Sequence, residues 1–547
     1  MRHLLLFFLV AISFPAFSQH TYVVYLKDKK QSSYSITHAG EFLSARALLR
    51  RQLQGIPIDE SDLPVSTAYS KQLLQLPVTQ KFALKWENAI VLETSVDLLV
   101  QLRQLPFVRS VRTISKPSPE SGIRKFDMEN KQLRSCDTEV PDGFYGTAEN
   151  QNRMLNLQEL HRRGFWGNDV LISVMDVGFT AANSNLFFDS VYKTNRVLYT
   201  YDFVDHENDV YNNAPHGLNA WSCIAANIPY KMVGTAPQAK FLLFVTEDDN
   251  SETVLEEYNW AKAAEVADSI GADVFSTSLG YTTFDATDSV DSHTYADLDG
   301  HTTVITKAAN HAASKGILVC NSAGNEGQKP WYYIAAPADG DSVIAVGAVN
   351  NLGDYAAFSS HGPNATGKLK PNVCAQGAGT AVVQVGGILG TSNGTSFSCP
   401  VMAGAIACLR QAFPNKTNAE IQNAVEQSAN FASNPNNEYG YGIPDFEIAY
   451  LMLSKPEWFS PKLDLNFVKV VPNPFCDYLE VYLGRDAEKG LHLLHVYDLQ
   501  GREVLLKSFF HEDAAFEMVK FSGADELASG NYLIRLDTGG THFFQKQ

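Results

Sequence analysis

Positive charge is scarce in this sequence. The 43 Lys and Arg are outnumbered by 60 Asp and Glu, leaving a net charge of −17 over 547 residues. That balance argues against a nucleic-acid partner, because phosphate binding needs clustered Lys and Arg. Cysteine is also sparse. The seven residues Cys136, Cys223, Cys320, Cys374, Cys399, Cys408 and Cys476 include no CxxC pair and no His spacing suited to zinc, which excludes a disulfide scaffold and a zinc module. Their odd number leaves at least one thiol unpaired within a monomer. Long apolar runs are confined to the start, and no later segment reaches the ~20 apolar residues of a membrane span. Solenoid repeats and low-complexity tracts are missing too.

The opening "MRHLLLFFLVAISFPAFSQH" has the order of a secretory signal. Arg2 and His3 form its polar start, Leu4 to Ile12 its apolar centre, and Ala16-Phe17-Ser18 a small-residue cleavage site. Residues 1–18 are therefore expected to be a signal peptide, and the remainder an exported, soluble protein. Its 45% hydrophobic and 19% charged content suits a globular chain of more than one domain.

Three regions follow. Residues 19–116 alternate strand-like runs ("YVVYLKD", "AIVLE", "FVRSVRTI") with helical spacing ("GEFLSARALLRRQL", "SVDLLVQLRQL"), a small α+β domain. Residues 117–144 are polar and Pro-, Ser- and Gly-bearing, as in a linker. Residues 145–455 change character: "VLISVM", "KFLLFV", "ADVFSTSLG", "GILVCN" and "SVIAVGAV" alternate with helical stretches such as "NWAKAAEVADSI" and "TTVITKAANHAASK". Continuous apolar strands separated by helices predict an α/β fold, a mostly parallel sheet with helices on both faces. Residues 464–547 return to short alternating strands, predicting a small antiparallel β-sandwich.

In parallel sheets, functional groups gather at the carboxyl ends of strands. Asp176 ends "VLISVMD", His216 opens a helix in "NAPHGLNAWSC", Ser278, Leu279 and Gly280 end another strand, Asn325 follows "GILVCNSAGN", and Ser396 opens a helix in "NGTSFSCP". Each has a bland alternative: a ligand or cap for Asp176, a structural ring for His216, a turn for Asn325, a helix cap for Ser396. Their joint occurrence has a chemical logic. A hydroxyl near neutral pH needs a base, such as His216, and a carboxylate such as Asp176 orients that base. The Asn325 amide and the Ser396 backbone N–H are candidate donors to a tetrahedral oxyanion. Gly394 lets the chain turn at the serine, Ala403, Gly404, Ala405 and Ala407 allow close helix packing, and Pro400 leaves the Ser396 carbonyl without its helical partner.

The order Asp, His-Gly, Ser-x-Leu-Gly, Ala-Gly-Asn, Gly-Thr-Ser-x-x-x-Pro resembles the subtilisin-like serine proteases, or subtilases. The resemblance implies a secreted serine endopeptidase acting through an Asp176–His216–Ser396 triad and an acyl-enzyme, with Asn325 as oxyanion donor. It also implies that Ser278, Leu279 and Gly280 pair with an extended substrate backbone. Two departures stand out. The family's usual His-Gly-Thr-His is "HGLN" here, with Leu218 and Asn219, and "FSSHGPN" offers a rival in His361, read as a loop residue. The alternative is a catalytically weakened subtilase fold used for surface binding or adhesion; an esterase or ligase with the same triad is a third.

No cofactor is required for this chemistry. Calcium is common in the family, and "YADLDGHTT" offers Asp297 and Asp299 near Gly300, but two acids fall short of an oxygen shell; a capping turn is the preferred reading. Residues 19–116 resemble a subtilase propeptide. The tail, with Pro472-Asn473-Pro474-Phe475, "VYDLQGREV" and "GNYLIRL", resembles type IX secretion sorting domains. The implied partners are protein or peptide substrates and the outer-membrane secretion machinery, and the implied location is outside the cell or on its surface.

Overall fold

The computed structural model describes residues 20–114, 131–132, 143–285, 292–456, 468–471, 479–483, 490–511, 517–521, 527–537 and 541–546. The expected signal peptide, nearly all of the linker, Cys136, Cys476 and the Pro472–Phe475 motif lie outside the described residues. The chain divides into two units, Met1–Phe42 with Ile58–Lys116, and Leu43–Pro57 with Pro117–Gln547.

The first unit is a four-stranded antiparallel sheet of β1 (His20–Leu26), β2 (Thr79–Leu84), β3 (Ala89–Thr94) and β4 (Val108–Ile114), ordered β2-β3-β1-β4. The alternating apolar side chains Tyr22, Val24 and Leu26 meet Ile90, Leu92 and Val111 in one core. Tyr69, on a short helix, stacks on Phe107 at 4.6 Å. Strand β2, "TQKFAL", escaped the sequence reading because its alternation is short and largely polar. The expected helix in "GEFLSARALLRRQL" is present as α1 (Ala45–Gln54), but it groups with the second unit.

The second unit is built on seven parallel strands: β5 (Leu171–Asp176), β6 (Val197–Asp202), β7 (Lys240–Val245), β8 (Val274–Thr277), β9 (Leu318–Ser322), β10 (Val343–Val349) and β11 (Val373–Gln376). Their order is β11-β10-β9-β8-β5-β7-β6. Every residue of β5 and β10 is buried, as continuous apolar runs require when both sheet faces are covered. The chain leaves β5 on one side for β6 and β7, then crosses to its other side for β8. This reversal opens a crevice at the strands' carboxyl ends, and there Met175 of β5 lies opposite Thr277 of β8.

Four helices matter for the site: α2 (His216–Ala225), α3 (Val254–Ile270), α4 (Val304–Ser314) and α5 (Thr395–Ala412). Helix α2 is anchored by fully buried Trp221, which stacks on Phe188 at 4.3 Å and meets Phe241 edge-on at 5.3 Å. Helix α5 is buried from Thr395 to Arg410, and at Gly404 its packing leaves no room for a side chain. A Cβ on Gly404 falls 1.9 Å from Thr235 Oγ1 and 2.9 Å from its Cβ. Gly404→Ala is therefore expected to destabilise the unit by about 1–3 kcal/mol through overpacking, read as a lower denaturant midpoint at unchanged slope.

Beyond residue 467 the described strands form two antiparallel sheets, one of three strands and one of four. Leu494, Val496, Ile534 and Leu536 are buried in the four-stranded sheet. The "VYDLQGREV" hairpin turns at Gly501, and Asp498 Oδ1 accepts from the backbone N–H of Gln500 and Arg502 at 2.9 Å each.

Candidate active site

Asp176 is the last residue of β5 and His216 the first of α2. The His216 Nδ1–H donates to Asp176 Oδ1 at 2.7 Å, and both side chains are buried. The same carboxylate oxygen accepts from the Val177 N–H at 2.8 Å. Gly217 makes this approach feasible, since a Cβ there falls 2.4 Å from the Gly178 carbonyl and 2.9 Å from Asp176 Cβ. Burial alone pushes the imidazole pKa down, but the charge and hydrogen bond of Asp176, with Glu247 and Asp249 behind them, outweigh it. His216 is thus held above its ordinary value.

Ser396 is the second residue of α5 and is 5% exposed. Gly394, at φ +145°, makes the turn that delivers it. The carbonyl of Ser396, which Pro400 cannot satisfy, accepts instead from Ser278 Oγ at 2.8 Å. That bond ties the start of α5 to the end of β8. Ser396 Oγ in turn donates to the Ser278 carbonyl across a long 3.4 Å. Phe397 brings its ring within 5.6 Å of the His216 ring, so the two helix starts meet.

Asn325 follows β9. Its Oδ1 accepts from the Thr395 N–H at 2.9 Å and from Thr395 Oγ1 at 3.0 Å. With the oxygen held, the amide nitrogen is the end offered to a ligand. Asn325, Ser396, Ser278, Leu279 and Gly280 all line one cleft of about 450 Å³. The Leu279 carbonyl is steadied by Asn321 Nδ2 at 3.0 Å and Ser322 Oγ at 3.1 Å.

The structure thus brings the sequence-selected residues to one rim. Leu218 and Asn219, the departures in "HGLN", are fully buried beneath His216. With its amide nitrogen turned toward the carbonyls, Asn219 donates to Val383 at 3.1 Å and Pro215 at 3.2 Å. His361 sits elsewhere, stacked on Tyr332 at 4.1 Å and 3.2 Å from Tyr355 Oη, and burial pulls its pKa down. Its neighbour Ser360 is the useful residue of that loop, accepting from the Glu326 N–H at 3.0 Å just past Asn325. Glu247, which lines the cleft and acts on His216, was missed. Its signal was available, because "FVTE" runs off the carboxyl end of β7.

Asp297 and Asp299 are engaged as turn caps. Asp297 Oδ2 accepts from the Thr294 N–H at 2.8 Å, and Asp299 Oδ1 from the N–H groups of His301 and Thr302 at 2.8 Å each. Oxygens turned onto backbone donors do not assemble a calcium cage, so these residues do not fit that ion. The five described cysteines are buried and free. Burial pushes the Cys399 thiol, beside Thr277, up to about 12, so it is an inert packing group.

A family model described as the subtilase family matches residues 167–442. A second, the peptidase S8 propeptide domain of Bacteroidota, matches residues 21–131, and a third, a secretion system C-terminal sorting domain, matches residues 469–547. The thermostable alkaline protease of Halalkalibacterium halodurans is 26% identical over 352 residues, 64% of this chain and 84% of that protein. Subtilisin E of Bacillus subtilis is 30% identical over 294 residues, 53% of this chain and 68% of that protein. Among solved structures, MycP1 from the ESX-1 type VII secretion system is similar at 22% identity and a TM-score of 0.45, covering 61% of this chain and 94% of that one. The flanking matches make this an exported protein, secreted or held at the cell surface. With its parallel sheet, its buried His–Asp pair and its serine at a helix start, the chain belongs to the subtilase family of serine endopeptidases.

Proposed function

We propose that Asp176, His216 and Ser396 form the catalytic triad of this endopeptidase, with Asn325 and the Ser396 N–H as its oxyanion hole. The observation that carries the reading is the buried 2.7 Å bond from His216 Nδ1 to Asp176. It leaves Nε2 as the basic nitrogen, on a ring 5.6 Å from that of Phe397 at the start of α5. Ser396 Oγ turns from the weak bond to Ser278, gives its proton to His216 Nε2 and attacks the peptide carbonyl. Asn325 Nδ2 and the Ser396 N–H bind the resulting oxyanion. Collapse expels the amine with the proton from His216. A water, deprotonated by the same ring, then releases the acid and restores Ser396. Strand-end residues Ser278, Leu279 and Gly280 pair with the substrate backbone beside the cleft.

A serine-directed fluorophosphonate tests this directly. The wild-type protein is expected to be labelled at Ser396 and a Ser396→Ala variant not at all; labelling at another residue overturns the assignment. Asn325→Ala is expected to lower kcat by about 10²–10³-fold with KM little changed, because the donor acts on the oxyanion and not on the resting substrate.

The flanking domains fit an export route. Residues 19–116 act as a propeptide cut within residues 117–144, residues 145–455 as the catalytic domain, and residues 464–547 as a type IX sorting signal read by the outer-membrane machinery. Deleting residues 464–547 is expected to trap the protein in the cell envelope.

A further inference from the structure

Four carboxylates, of Glu247, Glu252, Asp285 and Glu326, line the cleft that holds Ser396. One cation stands among its described lining residues, Lys329, and it pairs with Glu326 at 2.9 Å. The other three carboxylates sit on braced backbone. Glu247 is 4% exposed, and its Oε1 accepts from the hydroxyl of buried Tyr281 at 3.0 Å. Tyr281 is itself held by paired backbone bonds with Ala336 at 2.9 and 3.1 Å. Glu252 and Asp285 clamp two loops together. The Glu252 N–H donates to Asp285 Oδ2 at 2.9 Å, and the Asp285 N–H donates to the Glu252 carbonyl at 2.8 Å. The catalytic end of the cleft is marked by Ser278, which exchanges bonds with Ser396 in both directions. Gly280 follows two residues on, ~7 Å further along an extended chain, and Tyr281 comes directly after it.

Three features give this lining a preference. Apart from Leu279 and Ala335, its side chains are polar or absent, so a large apolar substrate side chain gains little by entering. Its negative field extends to the catalytic centre, where Glu247 and Asp249 both help to hold His216 above its ordinary value. And a substrate strand paired along Ser278–Gly280 projects alternate side chains into the cleft as it leaves the catalytic end. We propose that Glu247, Glu252 and Asp285 form a subsite that selects Lys or Arg in the substrate, two to four residues from the bond that is cut. This rests on the reading of Ser396 as nucleophile and of Ser278–Gly280 as the substrate-pairing strand. It adds a substrate class, extended basic segments of protein. The entering cation donates to carboxylates whose positions the Tyr281 hydroxyl and the Glu252–Asp285 clamp already fix, so little ordering is spent on binding it. Glu326 is left out of the subsite because Lys329 answers its charge.

The test gives the secreted protein fluorogenic peptides of one sequence that carry Arg, Ala or Glu in turn at each position around the cut bond. At one position two to four residues from the cut, kcat/KM is expected to be about 10–100-fold higher for Arg than for Ala, the scale of one charge-assisted hydrogen bond. It is expected to be lower still for Glu, and added salt is expected to narrow the spread. Glu252→Gln combined with Asp285→Asn keeps the side-chain sizes and an oxygen for the Glu252 N–H. It is expected to cut the Arg-to-Ala ratio by about fivefold or more. Only two of 60 acids are neutralised, so that change reports the subsite and not the net charge. Glu247→Gln, which retains an acceptor for Tyr281, is expected to lower the same ratio and keeps the measurement decisive where the double variant does not fold. Equal rates for Arg and Ala, or a ratio that the variants leave unchanged, overturns the subsite. Fluorophosphonate labelling keeps the two readings apart. A labelled wild-type protein with no Arg preference sinks only the subsite. Where the wild-type protein neither labels nor cleaves, the same peptides are titrated into it by fluorescence anisotropy. Tighter binding of the Arg peptide then keeps the subsite while the triad falls, and equal binding ends both.

Discussion

Replacing Ser396 by alanine is expected to lower kcat for peptide hydrolysis by about 10⁶-fold, the scale seen when the serine or histidine of a subtilisin triad is removed. The loss is chemical and not structural. The bond that secures the start of α5 runs from Ser278 Oγ to the backbone carbonyl of Ser396, and alanine retains that carbonyl. The lost hydroxyl gives up only the 3.4 Å contact to the Ser278 carbonyl, so the unfolding midpoint stays close to wild type. His216→Ala is expected to fall to the same floor, and the double variant no further, since in the proposed triad the two side chains perform one proton transfer. His361→Ala is expected to keep most of the activity, because its ring packs against Tyr332. A His361 variant that loses activity while His216→Ala keeps it would reverse the assignment.

Asp176→Asn is expected to cost about 10⁴-fold in kcat by presenting the wrong tautomer of His216 to the serine. It also carries a signed pH effect. In the wild-type protein Asp176 holds His216 above its ordinary value against the downward pull of burial. With His216 as the proposed base, activity needs the neutral ring, so the acid limb of kcat/KM is expected above the ordinary histidine value of about 6.5. With the carboxylate gone, burial dominates, and the limb of the residual activity moves to lower pH. Stability runs the other way. A pKa raised by folding stabilises fully below the unfolded value and is lost as pH rises through the folded one. The pair therefore supports the fold most where the enzyme is least active. Profiles of kcat/KM and of denaturant midpoint against pH check both signs; an unmoved acid limb in the variant contradicts the role given to Asp176.

Strands β5, β7, β8, β9 and β10 were legible because each is a short apolar run, whereas β6, "VLYTYD", is half exposed and mixed in character and was not read as a strand. Several functional residues stand at the ends of the legible strands. Asp176, Ser278 and Asn325 are visible by that rule, and the same rule reaches Glu247 once β7 is followed past its last apolar residue. Pro400 was legible in a stronger sense. A missing N–H implies a carbonyl in need of a donor, and Ser278 supplies it. The identity of that donor was not legible, since it lies 118 residues away. Strand β2 failed the periodicity test because its three polar first residues leave too short an apolar stretch to show alternation.

By itself, then, the sequence determined the kinds of element, their order and the chemical types available at strand ends, since these depend on side-chain patterns within a few residues. Tertiary structure alone decided which distant groups meet. The Gly404 approach to Thr235, the Asn219 contacts beneath His216 and the burial of Arg50 and Arg51 on Asp268 each join segments remote in the chain. No local pattern encodes such pairings. An arginine on a helix reads as solvated until the sheet and its crossings place a buried carboxylate against it.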